Sequence, residues 1–247
     1  MPPSKIHEKF PAWLVLMAAL TALGPLAIDM YLPAFPNMAA SLNTSQGQVE
    51  RTLASYLIGL AAAQIVYGPL ADRYGRKLTI LAGLFVFTLA SIGSIFTTNI
   101  EHLVIWRVLQ ALGGAAGMVV PRAVIRDRLE TREAAKALSL LMLITGLMPI
   151  LAPIAGGQLL LLGSWRFIFA FMAIFGVLLL AWVYYGMSET LAPENVRPLK
   201  ISAITKNYLE LLRHRQFMCH TLAGGFGLAG LFAYLTGSPH VFINLYD

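Results

Sequence analysis

Gly68-Pro-Leu-Ala-Asp-Arg-Tyr-Gly-Arg-Lys77 is a short charged elbow. It lies between Thr52–Ala71 and Leu78–Ile100, two long stretches without Asp, Glu, Lys or Arg. A loop this brief joining segments that apolar is the pattern of a turn between two membrane-spanning helices. The rest of the chain can be tested against that pattern.

Of 247 residues, 57% are hydrophobic and 12% charged, well short of the roughly 25% charged residues usual in soluble domains. Charge-free runs recur at Phe10–Ile28, Met30–Val49, Ala137–Trp165, Phe167–Ser188 and Gln216–Tyr246. Each suffices for the ~20 residues that cross a ~30 Å hydrocarbon core. Spans are predicted at 11–33, 50–70, 78–98, 101–122, 137–161, 166–187 and 216–237. Lipid offers no partner to a bare backbone group, so all of them should be helices. The first run is long for a cleaved signal and carries Asp29, which reads as an uncleaved first helix.

The basic residues orient the chain. With the N-terminus inside, all 18 Lys and Arg except Arg51, Arg107 and Arg166 fall on the cytoplasmic side, as the positive-inside rule requires. The net charge of +6 is then a topology signal. Nucleic-acid binding is disfavoured, because these charges are scattered over separate loops. The lone Cys219 excludes an internal disulfide and offers no zinc site. No phosphate-binding G-x-x-x-x-G-K-[ST] loop occurs, so no cofactor is expected and transport would run on an ion gradient or downhill. No catalytic triad pattern shows, and Ser238 and His240 stand too near the end of the last span to form a dyad. The chain is read as non-enzymatic.

Two charges lie inside spans. A carboxylate there costs roughly 2.5–3.5 kcal/mol on insertion scales, so Asp29 should face a cavity, where it is suited to take and release a proton. Arg107 is the only Lys or Arg in the interior of a span, since Arg51, Arg122 and Arg166 stand at span ends. At 1.5 Å per residue it sits about 9 Å below Glu101, and Asp29 about 6 Å below Pro33. The two are predicted to share one aqueous cavity, either paired directly or coupled through water or substrate. Gln110 is one turn from Arg107 on the same face, and an interhelical hydrogen bond is its alternative role. Gly113 and Gly117 form a small-x-x-x-small face. In the fifth span, Pro149 and Pro153 should bend the helix. In the elbow, Gly75 suits a positive φ, Asp72 suits a helix N-terminal cap, and Arg76 should pair with Asp127. Tyr31, Tyr56, Gln64 and Met142 are possible cavity liners.

Residues 68–77 resemble, almost letter for letter, the signature loop between the second and third helices of the major facilitator superfamily of secondary transporters. Arg107 through Gly117 resembles its fourth-helix motif, in which the arginine is associated with proton coupling. Gly146, Pro149, Pro153, Gly156 and Gly157 resemble its fifth-helix antiporter motif, with Ala152 where a glycine is expected and Pro149 additional. Asp29-Met-Tyr-Leu-Pro33, Arg122–Asp127, Gly163-Ser-Trp165-Arg166 and Tyr234–Pro239 are similar to the Bcr/CflA branch of drug:proton antiporters.

The resemblance implies an all-α integral membrane fold with a six-helix N-terminal half over 1–187. A cytoplasmic linker would follow over 188–215, then the first helix of an incomplete second half over 216–247. It implies a multi-pass protein of the inner (cytoplasmic) membrane exporting small lipophilic compounds by proton-driven alternating access. Asp29, Arg107 and Gln110 would serve coupling and the substrate cavity, and Gly68, Asp72, Arg73, Gly75, Arg76, Lys77 and Asp127 would serve gating. The implied partners are a drug-like small molecule, protons and the lipid bilayer. Two alternatives stay open: uptake of a small metabolite, or a non-transporting half that needs the missing C-terminal half or a second chain.

Overall fold

The computed structural model describes residues 11–199 and 201–245, with side-chain detail lacking for a few of these, notably from Leu235 onward. Lys5, Lys9 and Lys200, which entered the charge count, lie outside the described residues, as do the side chains of 235–239. The described chain is helical: α1 Ala12–Asp29, a 3₁₀ turn Leu32–Ala34, α2 Phe35–Ser41, α3 Gln46–Tyr74, α4 Arg76–Ile95, α5 Ile100–Arg128, α6 Thr131–Leu160, α7 Arg166–Gly186, a 3₁₀ turn Pro193–Asn195, α8 Ile201–Arg213 and α9 Arg215–Leu245. Six spans qualify for crossing a membrane by length and composition among the described residues: α1 with α2, α3, α4, α5, α6 and α7. The predicted span 216–237 falls within the 31 residues of α9.

The helices run further than the apolar runs. At 1.5 Å per residue, the 29 residues of α3 and of α5 each extend about 44 Å, against a hydrocarbon core of about 30 Å. The signature stretch is therefore not a loop. Gly68 through Tyr74 forms the last turns of α3, Arg76 and Lys77 begin α4, and Gly75 alone is non-helical. At the far end Asn99 caps α5, its side-chain oxygen accepting from the Glu101 N–H at 2.8 Å. α1 stops early, at Asp29. Pro33 has no N–H to offer the Asp29 carbonyl four residues back, which favours an end to the helix there, although Pro25, Pro69, Pro121, Pro149 and Pro153 are accommodated inside α1, α3, α5 and α6. Pro149 and Pro153, expected to bend the fifth span, lie within a continuous α6.

The chain divides into two compact units, residues up to Arg197 and from Pro198 onward. The stretch 188–197, expected in the linker, belongs with the first. There α5 is central and packs on α1, α3 and α4, while α4 also packs on α7 and α1 on α6. Small residues make these approaches possible. A Cβ on Gly113 would stand 2.3 Å from the Phe87 backbone nitrogen, and one on Gly117 would stand 2.6 Å from the Leu20 carbonyl oxygen. Gly156 of α6 is closer still, with its Cβ position 1.7 Å from the Met30 carbonyl oxygen just past the end of α1. In the second unit, α8 packs on α9.

Candidate functional site: a buried arginine and a charged helix end

Arg107 is wholly buried, two turns into α5. Its guanidinium donates to the Ala27 carbonyl at 2.7 Å and to Gln110 Oε1 at 2.6 Å. It lies 4.2 Å from the ring centres of both Tyr31 and Tyr56, and 5.9 Å from that of Phe169. A cation over an aromatic face is held by the ring quadrupole, most strongly where water is excluded. Among the described residues no carboxylate pairs with it, and its Nε has no hydrogen-bond partner.

Asp29 is 4% exposed and ends α1, two residues beyond the carbonyl that Arg107 grips. The structure thus brings Asp29, Arg107 and Gln110 into one region without a direct ion pair. The buried hydroxyl of Tyr56 beside them has no hydrogen-bond partner among the described residues. Gln110 makes the interhelical bond foreseen as its alternative role, donating to Ser91 Oγ of α4 at 2.7 Å while its oxygen holds Arg107. Tyr31, whose hydroxyl lies 3.2 Å from that of Thr52, and Tyr56 prove to be the walls around the arginine. Gln64 and Met142 are exposed and stand apart from this cluster.

The second cluster sits where α3 meets α4. Gly75 has φ +89, a conformation that essentially only glycine adopts without strain. Arg76 is buried and two-handed: Nη1 donates to Asp72 Oδ1 at 2.6 Å and Nε to Asp127 Oδ2 at 2.9 Å. Asp127 is reached because α5 continues to Arg128. Asp72 does not cap α4. Its carboxylate faces Arg76 four residues on, and the cap comes from Glu189, which accepts from the Arg76 N–H at 2.9 Å and the Lys77 N–H at 3.1 Å. Lys77 Nζ donates to the Tyr184 carbonyl at 2.8 Å. Arg73 is exposed, and a Cβ on Gly68 would meet nothing within 4 Å.

The residues of the fifth-helix motif separate. Gly156 lies against Met30, whereas Cβ atoms on Gly146 and Gly157 would meet nothing, and Pro149 and Pro153 are half-buried. Arg166 opens α7 and closes the other end of α4 through the carbonyls of Ile95, at 3.0 Å, and Thr97, at 2.9 Å. Sequence reading missed this clamp, as it missed Glu189. The one local signal for each was a charged residue at the edge of a charge-free run.

The sequence profile of the Major Facilitator Superfamily matches residues 17–246. An uncharacterized MFS-type transporter, YdgK, of Bacillus subtilis is 40% identical over 94% of this chain and 58% of its own length. A bicyclomycin resistance protein homolog of Haemophilus influenzae is 33% identical over 95% of this chain and 59% of its own. The multidrug resistance protein MdtL of Shigella dysenteriae is 34% identical over 94% and 59%. The chain therefore spans somewhat more than half the length of these relatives. Among solved structures, a D-xylose–proton symporter superposes with a TM-score of 0.70 over 96% of this chain and 62% of that one, at 18% identity. At that identity the likeness speaks for the fold.

Proposed function

The chain belongs to the Major Facilitator Superfamily, and from that premise we propose that it forms part of a proton-coupled exporter of small lipophilic compounds. It is a multi-pass membrane protein of a transporter family. The names of its relatives support drug export, and a multidrug resistance protein and a bicyclomycin resistance homolog are among them. The observation that carries the coupling is a fully buried arginine held by a carbonyl, an amide and aromatic faces, with the buried carboxylate of Asp29, in no ion pair among the described residues, two residues beyond that carbonyl.

In this reading Asp29 gains and loses the proton. When it is charged, Arg107 gains a carboxylate to turn toward. When it is protonated, the arginine stays on Ala27 and Gln110. The state of one proton thereby changes what holds α1 against α5, a differential interaction that can shift a two-state equilibrium. Arg76, with Asp72, Asp127 and the Glu189 cap, holds the opposite end closed in one state and releases it in the other. The N-terminus and the Arg76 cluster lie on the cytoplasmic side of the inner membrane, as the basic residues indicate.

The test is substrate-driven proton movement in vesicles, with Asp29→Asn beside the native protein. Addition of a lipophilic drug should drive protons across the native membrane. Asp29→Asn should abolish that flux while drug still binds. Unchanged flux in the variant, or uptake in symport with protons, overturns the reading.

A further inference from the structure

Gln110 grips Arg107, and Gln110 is itself held from its far side. Its amide has an oxygen that only accepts and an NH2 that only donates. The oxygen takes the Arg107 guanidinium at 2.6 Å. The NH2 donates to Ser91 Oγ of α4 at 2.7 Å and lies 3.4 Å from Met172 Sδ of α7. Ser91 Oγ in turn donates to the Phe87 carbonyl at 2.8 Å, one turn back on its own helix. A hydroxyl has one proton to give, so with that proton on Phe87 its oxygen faces Gln110 as an acceptor. The chain of bonds from Arg107 through Gln110 and Ser91 to Phe87 therefore runs one way, and each donor meets an acceptor.

The surroundings make Ser91 hard to replace. Ser91, Gln110 and Phe87 are wholly buried, and Met172 is 1% exposed. The close approach of α4 to α5 at Gly113, whose Cβ position is 2.3 Å from the Phe87 nitrogen, brings the serine within reach. Without Ser91 the amide NH2 would keep only a thioether sulfur, which is a weak acceptor. An amide left short of a partner in so closed a place bears its desolvation cost unmet, so the side chain would swing and carry its oxygen off the guanidinium.

We infer that Ser91 is a positioning residue for Arg107. It anchors the Gln110 NH2 on α4, keeps the amide oxygen aimed at the guanidinium, and so sets how firmly the arginine is held away from Asp29. Arg107 turns toward Asp29 only by giving up Gln110, and the strength of that hold weights the exchange between the two arrangements. The functional part of this inference rests on the coupling proposed above.

Nitrogen-15 NMR of the arginine side chains tests it in the full chain reconstituted in lipid bilayers, with the Arg107 signal identified by its loss in Arg107→Met. In Ser91→Ala, hydrogen exchange at the Arg107 guanidinium should quicken about fivefold to tenfold, the worth of one buried hydrogen bond. Gln110→Leu should do the same, and adding Ser91→Ala to it should change nothing further. Ser91→Cys, close in size but a weaker donor and acceptor, should fall between native and alanine, and it serves if Ser91→Ala does not fold. Unaltered exchange in both Ser91 variants overturns the inference. So does an undiminished effect of Ser91→Ala in the Gln110→Leu background, which would mean that Ser91 only packs α4 against α5. Drug-driven proton flux in vesicles should fall several-fold in Ser91→Ala while drug affinity holds, and unchanged flux beside a loosened guanidinium would overturn the functional part. The guanidinium signal needs no transport. A native protein without proton flux would therefore strike the coupling reading and leave the hold of Ser91 on Arg107 to stand on the exchange rates.

Discussion

Arg107 and Arg76 are both buried, in the same unit and about as deeply, yet they are held in opposite ways. Arg76 has two carboxylates, at 2.6 and 2.9 Å, and lies at the polar end of the bundle. Arg107 has none among the described residues, and the structure gives it a carbonyl, an amide oxygen and two tyrosine faces. A compensated charge is a fastening, and its removal leaves two acids facing each other. A charge held by neutral dipoles and rings is a poised group, able to respond when a nearby carboxylate changes its protonation. The difference separates structural work from switching work.

The largest effect that could break this comparison is therefore a split between function and stability. Arg107→Met should reduce transport to background, because Arg107 is the one wholly buried cation among the described residues. Its melting temperature should change little, since the desolvation cost of an unpaired buried charge is removed while the Ala27 carbonyl and the Gln110 oxygen lose their donor. Arg76→Met should instead destabilise the fold. It leaves Asp72 and Asp127 uncompensated, at a cost of about 1–3 kcal/mol, because both acids are partly solvated. Thermal unfolding in detergent beside a drug-efflux assay gives both readouts. Equal destabilisation by the two substitutions would erase the distinction.

The next prediction sharpens the geometry around Asp29. Gly156→Ala drives a methyl into the Met30 carbonyl, a backbone atom that cannot swing aside. It should cost about 1–3 kcal/mol through forced displacement of the chain beyond α1. Gly157→Ala, one residue along, meets nothing and should stabilise the helix by up to about 1 kcal/mol through the lower entropy of alanine. Melting temperatures of the pair decide it, and equal shifts would show that the α6–α1 approach is not tight.

These residues also show what the amino-acid sequence made legible. Charge-free runs located every span among the described residues, because insertion into lipid is decided by composition over ~20 residues. Arg107 and Asp29 stood out for the same reason. Arg76 with Asp127 was readable from the basic residues at helix ends, and Gly75 from its place in the turn. What hydropathy could not show was how far the helices continue into water, since backbone bonding does not stop where charge begins. The elbow thus proved mostly helical, and Asp127 came within reach of Arg76 on the last turn of α5. Asp72 suited a helix cap by its charge, yet its spacing of four residues from Arg76 faces it to that side chain. Glu189 was hidden because the two α4 N–H groups it caps are more than a hundred residues away. A contact of that range leaves no periodicity to read.

Glu189 supplies the smallest effect and the finest test of the fastened end. Burial pushes its carboxyl pKa up, but the N–H groups of Leu191, Arg76, Lys77 and Thr190 outweigh this and hold it below the ordinary 4.5. A depressed carboxylate pKa stabilises the fold above the unfolded value, and that contribution is lost as pH falls through the folded one. Glu189→Gln should therefore cost about 1 kcal/mol near neutral pH, the usual worth of a helix cap, or about 2–4 °C for a unit of this size. The gap between native and variant should close as pH drops below 4.5. A gap that persists in acid would mean that the shape of the side chain, not its charge, secures α4. The Arg76 end would then owe its hold to the Asp72 and Asp127 pairs alone, and the contrast with Arg107 would rest on those two acids.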